Sequence, residues 1–122
     1  LVRPGRAGGA DAFPPGVTVR AADVTDAASV ARDGFAGEPF DAVVSCLASR
    51  TGAPADAWAV DYGAHAHLLA AARAAGAGHF VLLSAICVQQ PRLAFQHAEP
   101  AFERELAPSG LRSSGVRPTA FF

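Results

Sequence analysis

Asp-Ala-Val-Val-Ser-Cys-Leu, residues 41–47, and Phe-Val-Leu-Leu-Ser, residues 80–84, are the two stretches that decide the fold of this chain. Both are nearly continuous apolar runs rather than alternations of apolar and polar residues. Such runs are typical of strands that are buried on both faces, as in a parallel sheet covered by helices. They therefore predict two strands of an α/β domain.

Outward from these runs, strand and helix signals alternate along the chain. We predict strands at 17–19, 41–47, 80–84 and 114–116, and helices at 27–35, 58–75 and 94–107. Thr25 or Asp26 is expected to cap the first helix, Gly76 to end the second, and Pro100 to delay the first turn of the third. Strands that alternate with helices form right-handed crossovers and a parallel sheet, so one α/β domain is predicted.

The composition excludes several classes of function. With 51% hydrophobic residues in 122, the chain can form a core, and its net charge of −1 gives no electrostatic basis for binding nucleic acid or an anionic membrane. It contains no apolar run of about 18 residues, the length that a membrane span requires. Cys46 and Cys87 form no CxxC motif and match no metal-ligand spacing, so both are interpreted as core thiols and no metal site is expected.

Small and polar residues follow each predicted strand. They are Asp23-Val24, residues 46–49, residues 84–87 and residues 117–119. In an open α/β sheet, ligands bind beyond the carboxyl ends of the strands, so these positions are the candidate site. The sequence has neither GxGxxG nor a Walker-type loop, and Gly5, Gly8 and Gly9 do not follow a full strand. A phosphate-binding turn is therefore not visible.

Several segments of the chain match the pattern of a known family. They resemble, in order, the NADPH-dependent 3,8-divinyl (proto)chlorophyllide 8-vinyl reductases of the atypical short-chain dehydrogenase/NmrA-like group. The segments that carry the resemblance are Val2-Arg3, 23–26, 41–50, Trp58, Asp61-Tyr62, 79–89, Phe95-Gln96, Phe102-Glu103 and 116–122. The stretches HFVLLSAICVQ and RPTAFF are specific to that family, and the similarity covers nearly the whole chain.

The resemblance implies a Rossmann-like doubly wound parallel sheet and an enzyme that reduces the 8-vinyl group of a chlorophyll precursor to ethyl. NADPH would supply the hydride, and the protein would orient the cofactor against a tetrapyrrole substrate. The implied location is the plastid in a eukaryote or the cytoplasm in a photosynthetic bacterium. The oligomeric state is left open.

The resemblance, carried over position by position, implies which residues contact the adenosine half of the cofactor. Arg3 would pair with the 2′-phosphate of NADPH, or it is a solvated arginine at a strand end. Asp23 would accept a hydrogen bond from the adenine amino group beside Val24, or it belongs to a helix-capping turn. Cys46, Leu47 and Ala48 would pass under the ribose.

The nicotinamide side follows at the later strand ends. The resemblance places Ser84 and Ala85 against the nicotinamide, with Pro118 and Thr119 behind it. Ser84 is the single candidate catalytic residue.

The chain departs from the family at two positions. Glu99 stands where the family carries Lys, and we expect its carboxylate to reverse the local charge and repel the NADPH phosphates. His67 stands where the family usually carries Asn and is interpreted as a helix-surface residue rather than a catalytic acid. Tyr62 is interpreted as a packing residue, because no Lys follows it four residues later.

The resemblance also places a first strand, its Gly-rich turn and a first helix before Leu1. Residues 1–122 would then be one partial NAD(P)-binding domain without the central strand of the sheet. We therefore expect this span not to be a stable, NADPH-competent monomer. The alternatives to an active 8-vinyl reductase are a non-catalytic NmrA-like binding protein, a decayed fragment, or another atypical reductase acting on a phenolic or quinone substrate.

Overall fold

The structure, a computed structural model, describes residues 1–5, 13–85 and 92–118. Its centre is a three-stranded parallel sheet in the order β1 (Ala42–Ser45), β2 (His79–Leu83) and β3 (Arg112–Val116). Val43 pairs with Phe80, and Phe80 pairs with Ser113, so β2 is the central strand. The parallel α/β arrangement is as predicted.

The helices lie between the strands in sequence. The first is α1 (Ala27–Ser29), which continues as a π-helical segment (Val30–Phe35). The second region consists of α2 (Pro54–Ala57), a second π-helical segment (Trp58–Ala64) and α3 (His65–Ala74). The last helix is α4 (Ala94–Leu106). Residues 54–74 follow one another in helical conformation and are called the long helix below.

Local sequence explains where these helices begin and end. Asp26 caps α1 by accepting a hydrogen bond from the Ala28 amide, as expected. The long helix begins four residues earlier than predicted because Pro54 fits the first turn of a helix. It ends at Gly76, whose φ of 73° suits glycine. Pro100 lies inside α4 rather than delaying its start.

The core lies between one face of the sheet and the helices. Phe80 and Leu82 of β2 are fully buried there, and Phe102 of α4 packs on Phe80 with ring centroids 5.7 Å apart. The other members of this buried apolar cluster come from the first π-helical segment, α3 and α4: Val30, Phe35, Leu68, Leu69, Ala71, Ala72 and Leu106, with Ala77 from the turn before β2. This packing holds the carboxyl ends of β1 and β2 at one edge of the molecule.

The opposite face of the sheet is open. Val44 and Val81 are register partners and lie on the face away from Phe80, and Val44 is 66% exposed. The prediction that residues 41–47 are buried on both faces is therefore wrong for β1. The physical reason is that, among the described residues, the helices pack against the Phe80 face.

The first residues of the chain form a separate piece of parallel pairing. Val2 and Ala21 form an isolated bridge, with the Val2 amide donating to the Arg20 carbonyl at 2.8 Å and the Ala22 amide donating to the Val2 carbonyl at 3.0 Å. The predicted strand at 17–19 is wrong, because the pairing occurs at Ala21 and residues 17–20 form no strand. The β-branched residues at 17–19 favour extended backbone locally, but among the described residues they have no strand to pair with.

Candidate functional site

An open cleft of about 1210 Å³ separates the Val2–Ala21 bridge from the edge of β1. It is lined by both edges and by the segments that follow them, and six of the predicted cofactor residues are among its walls: Arg3, Asp23, Val24, Cys46, Leu47 and Ala48. The structure thus brings the adenine-side and ribose-side candidates together, although they come from three separate parts of the sequence. The remaining length of the cleft runs beside β1 from Phe40 to Val44.

Asp23 begins a tight turn at one wall of the cleft. Its Oδ1 accepts hydrogen bonds from the Thr25 amide at 2.9 Å and the Thr25 hydroxyl at 2.7 Å, and its own amide donates to the Ser29 hydroxyl at 3.0 Å. The hydrogen bonds from Thr25 hold the pKa of Asp23 below its ordinary value. Asp23 is therefore an ionised acceptor in the turn that precedes α1, and its contact with the adenine stays a prediction.

Cys46 follows the last residue of β1 at the opposite wall. It is a free, exposed thiol, so its interpretation as a core thiol is wrong. The apolar run continues past the helix-covered part of the strand, and the residues after Ser45 turn toward the cleft. Cys87 lies outside the described residues, as does Thr119.

Asp61 of the long helix fixes the segment that contains Cys46, Leu47 and Ala48. Its Oδ1 accepts from the Ser49 amide at 2.7 Å and its Oδ2 from the Ser49 hydroxyl at 2.6 Å. Asp61 is buried, and both of its oxygens are engaged by Ser49. The ribose-side wall is therefore held by a carboxylate that the sequence pattern did not single out as a site residue.

Ser84 follows β2 and is buried rather than open to the cleft. It is 5% exposed, and its hydroxyl donates to Glu103 Oε1 at 2.7 Å. Glu103 is also paired with Arg117, which follows β3. Ala85 and Pro118 are half-buried and are not among the cleft walls. The structure thus leaves Ser84, Ala85 and Pro118, the described nicotinamide-side candidates, outside the walls of the adenine-side cleft.

Glu99 lies on α4, one turn before Glu103, and its side chain is 4% exposed with no partner for Oε2 among the described residues. Burial raises its pKa to about 8, and the neighbouring charges of Asp61 and Glu103 add to the rise, while the Ser84 hydroxyl opposes it. Glu99 is consequently protonated and uncharged at neutral pH. Glu99 therefore does not reverse the local charge at neutral pH as expected, because burial beside two other carboxylates moves its ionisation to about pH 8.

The long helix presents two further polar side chains. Tyr62 donates to Glu105 Oε2 at 2.8 Å and packs edge-to-face on Trp58, which agrees with a packing role, and its pKa is raised by the hydrogen bond to Glu105. His67 is half-buried, and its Nδ1 lies 3.1 Å from the Val24 carbonyl oxygen. Its interpretation as a helix-surface residue is therefore incomplete, because it contacts a wall of the cleft.

No group of three or more His, Cys, Asp or Glu side chains in the described part of the chain is arranged to hold a metal ion. Among the same residues, no helix combines the length and hydrophobicity needed to cross a membrane.

Comparison with known proteins gives concordant results. A sequence profile of the NAD(P)H-binding family matches residues 2–121. Three relatives carry the name divinyl chlorophyllide a 8-vinyl-reductase, chloroplastic. This chain is 55% identical to the Zea mays protein over 105 residues and 54% identical to the Oryza sativa subsp. indica protein over 105 residues. It is 57% identical to the Cucumis sativus protein over 89 residues. These alignments cover 82%, 82% and 69% of this chain but 26%, 26% and 21% of those proteins. The chain thus spans about a quarter of the length of these relatives.

A solved structure supports the fold. The Bordetella bronchiseptica enzyme WbmG in complex with NAD superimposes with a TM-score of 0.79 at 20% sequence identity, covering 95% of this chain and 43% of that one. Together with the profile match and the cleft at the strand ends, this identifies the chain as a member of the NAD(P)H-binding family with a Rossmann-like fold.

Proposed function

We propose that this chain is the dinucleotide-binding part of an NADPH-dependent reductase that converts the 8-vinyl group of divinyl (proto)chlorophyllide to ethyl. The observation that carries the proposal is the 53–57% identity to plant 8-vinyl reductases, over 69–82% of this chain. The substrate is a tetrapyrrole, and the relatives' names support a plastid location if the source is eukaryotic.

The residues of the adenine side fit a dinucleotide. Arg3 is exposed at the cleft, where its guanidinium would hold the 2′-phosphate and favour NADPH over NADH. Asp23 and Val24 would flank the adenine, and Cys46 and Ala48 would pass beneath the ribose. The neutral state of Glu99 removes a repulsion that would oppose an anionic cofactor.

The chemistry at the nicotinamide side is a hydride and proton addition. NADPH, when bound, would supply the hydride, and the net reaction would add this hydride and one proton from solvent across the vinyl C=C bond, giving ethyl and NADP⁺. Ser84 would position this end of the site through its hydrogen bond to Glu103, with Ala85, Pro118 and Thr119 beside it.

The direct test is an absorbance assay on the protein encoded by the complete reading frame that contains residues 1–122. With NADPH and divinyl chlorophyllide, we expect the Soret band to shift to that of the monovinyl product, and the shift to be slower with NADH. A protein that binds NADPH but leaves the Soret band unchanged would contradict the proposal. Reduction of a phenolic or quinone substrate instead would assign the chain to another atypical reductase.

One observation favours a second candidate, a non-catalytic NAD(P)-binding protein. Ser84 is buried and its hydroxyl is occupied by Glu103, so it does not face the cleft. The variant Glu99→Lys distinguishes the reductase from the non-catalytic binding protein. It places a cation beside Asp61 and Glu103 and so restores the residue type of the implied family. In a reductase this change should raise the rate, whereas a non-catalytic protein would show no turnover in either form.

A further inference from the structure

His67 is the residue through which the long helix is hydrogen-bonded to the Asp23–Thr25 turn. Its Nδ1 lies 3.1 Å from the Val24 carbonyl oxygen, across a sequence separation of 43 residues. Because a carbonyl oxygen only accepts, the His67 tautomer in this contact carries its proton on Nδ1 and donates. The contact thus fixes both the histidine tautomer and the direction of the Val24 carbonyl.

The other hydrogen bonds of this turn are local. Asp23 and Thr25 bond to each other, the Asp23 amide donates to Ser29, and the Asp26 amide donates to the Asp23 carbonyl. These bonds shape the turn but do not orient it relative to β1. Among the hydrogen bonds of the described residues, only the one from His67 ties residues 23–25 to the long helix, whose Asp61 also holds the opposite wall through Ser49.

The surroundings of His67 place this contact at the cleft. The next residue, Leu68, is buried and lines the cleft together with Val24 and Leu47. One rigid helix therefore positions both walls between which the adenine half of a dinucleotide would lie. A side-chain bond to a backbone carbonyl is suited to this, because it constrains the backbone without occupying the cleft.

We propose that His67 is a positioning residue for the adenine half of the cofactor. Its Nδ1–H holds the Val24 carbonyl and so keeps the Asp23–Thr25 turn at a fixed distance from the Cys46–Ala48 segment. The inference rests on the proposed placement of NADPH in the cleft. It does not depend on which substrate is reduced.

Three variants of the complete protein test the role of the Nδ1 donor. His67→Leu keeps side-chain bulk and removes the donor, whereas His67→Asn places an amide N–H at the same distance from the backbone as Nδ1. His97→Leu is the matched control, because His97 is exposed on α4 and is not among the cleft walls. Dissociation constants are measured by calorimetry for NADPH and for reduced nicotinamide mononucleotide, which lacks the adenosine half.

We expect His67→Leu to weaken NADPH binding about 3- to 10-fold, the effect of losing one hydrogen bond that orders a binding segment, and to leave mononucleotide binding unchanged. His67→Asn and His97→Leu should bind NADPH within about twofold of the unmodified protein. In an active enzyme, His67→Leu should raise KM for NADPH without lowering kcat.

Two results would overturn the inference. One is unchanged NADPH affinity in His67→Leu; the other is an equal loss for NADPH and the mononucleotide, which would indicate a general structural role. Failure of the unmodified protein to bind NADPH would overturn both this inference and the proposed function. NADPH binding that depends on His67 without reduction of divinyl chlorophyllide would sustain the inference and refute only the proposed activity.

Discussion

Glu99 shows that a residue which is negatively charged in most settings can be neutral in the fold. In the sequence it is an added negative charge at a position where the implied family carries Lys. In the fold it is buried beside Asp61 and Glu103, its pKa rises to about 8, and the charge is absent at neutral pH. Position on α4 was predictable from the sequence, but burial and the approach of Asp61 from another helix were not.

The raised pKa of Glu99 should make stability depend on pH. Between its ordinary value of 4.5 and about 8, the folded protein retains a proton that the unfolded chain releases. The free energy of unfolding should therefore fall as pH rises through this window, and the contribution of Glu99 should be fully present only below it. Glu99→Gln, which resembles the protonated form, should flatten this part of the profile in urea denaturation at several pH values.

A control for this profile is Glu38→Gln, because Glu38 is exposed and pairs with Arg20 at the surface. That variant should keep the decline with pH. An unmodified protein whose stability does not fall between pH about 5 and about 8 would show that Glu99 is already ionised in the fold.

Arg3 should determine cofactor preference. It is exposed at the cleft, so Arg3→Ala is expected to weaken NADPH binding about 10-fold, the effect of one charge-assisted hydrogen bond to phosphate, and to leave NADH binding nearly unchanged. The measurement is a pair of Kd values for the two cofactors. Arg73→Ala, an exposed change on α3, is the control; equal losses for NADPH and NADH in Arg3→Ala would remove Arg3 from the 2′-phosphate site.

At the scale of elements, the long helix organises the site. Its Asp61 accepts two hydrogen bonds from Ser49, and its His67 contacts Val24, so residues six apart on one helix reach both walls of the cleft. The sequence predicted this helix, with a start four residues too late, but could not indicate which loops its polar residues would contact. Such contacts depend on how the helix packs on the sheet.

Asp61→Ala should destabilise the protein more than the removal of a comparable surface carboxylate. The half-buried Ser49 amide would lose the acceptor that buried Asp61 provides, at a cost of about 1–3 kcal/mol in the free energy of unfolding. Asp56→Ala is the matched control, since Asp56 also accepts from backbone amides, those of Arg50 and Thr51, but is only half-buried and its hydrogen bonds are exposed. Urea denaturation showing equal costs for the two variants would contradict the importance of burial at Asp61.

The strands illustrate the limits of local pattern. The two long apolar runs form neighbouring parallel strands, because apolar strands are stabilised by packing in the core of an α/β domain. The short Val17–Val19 run formed none, since a strand of three residues needs a partner to be stable and the pairing partner, Val2, meets the chain at Ala21 instead. Of the site, six predicted cofactor residues lie along the cleft, whereas the burial of Ser84 was not predicted.

At the scale of the whole molecule, two pieces of parallel pairing flank the cleft. In the 3-2-1-4-5-6 sheet that the resemblance implies, the two sides of the Val2–Ala21 bridge would be the second and third strands and β1 the fourth, with a further strand between them. Among the described residues no strand joins the two pieces. The position that the resemblance gives to a first strand is thus the part of the cleft beside β1.

Residues 1–122 expressed alone should therefore unfold without a cooperative transition and fail to bind NADPH at micromolar concentration. The edge of β1 beside the cleft and the sheet face that carries Val44 are open to solvent, so this span lacks part of the apolar burial from which a domain derives a total stability of about 5–15 kcal/mol. Calorimetry and urea denaturation check this. Cooperative unfolding together with micromolar NADPH binding by this span would show that the first strand is dispensable.

The transfer of hydride from NADPH to the vinyl group is tested most directly by isotope labelling. The complete protein is incubated with divinyl chlorophyllide and NADPH that carries deuterium in the transferable position at C4 of the nicotinamide, and the pigment is examined by mass spectrometry and NMR. We expect one deuterium in the 8-ethyl group of the product. A monovinyl product without deuterium, from either stereoisomer of the labelled cofactor, would contradict direct hydride transfer from NADPH bound to this domain.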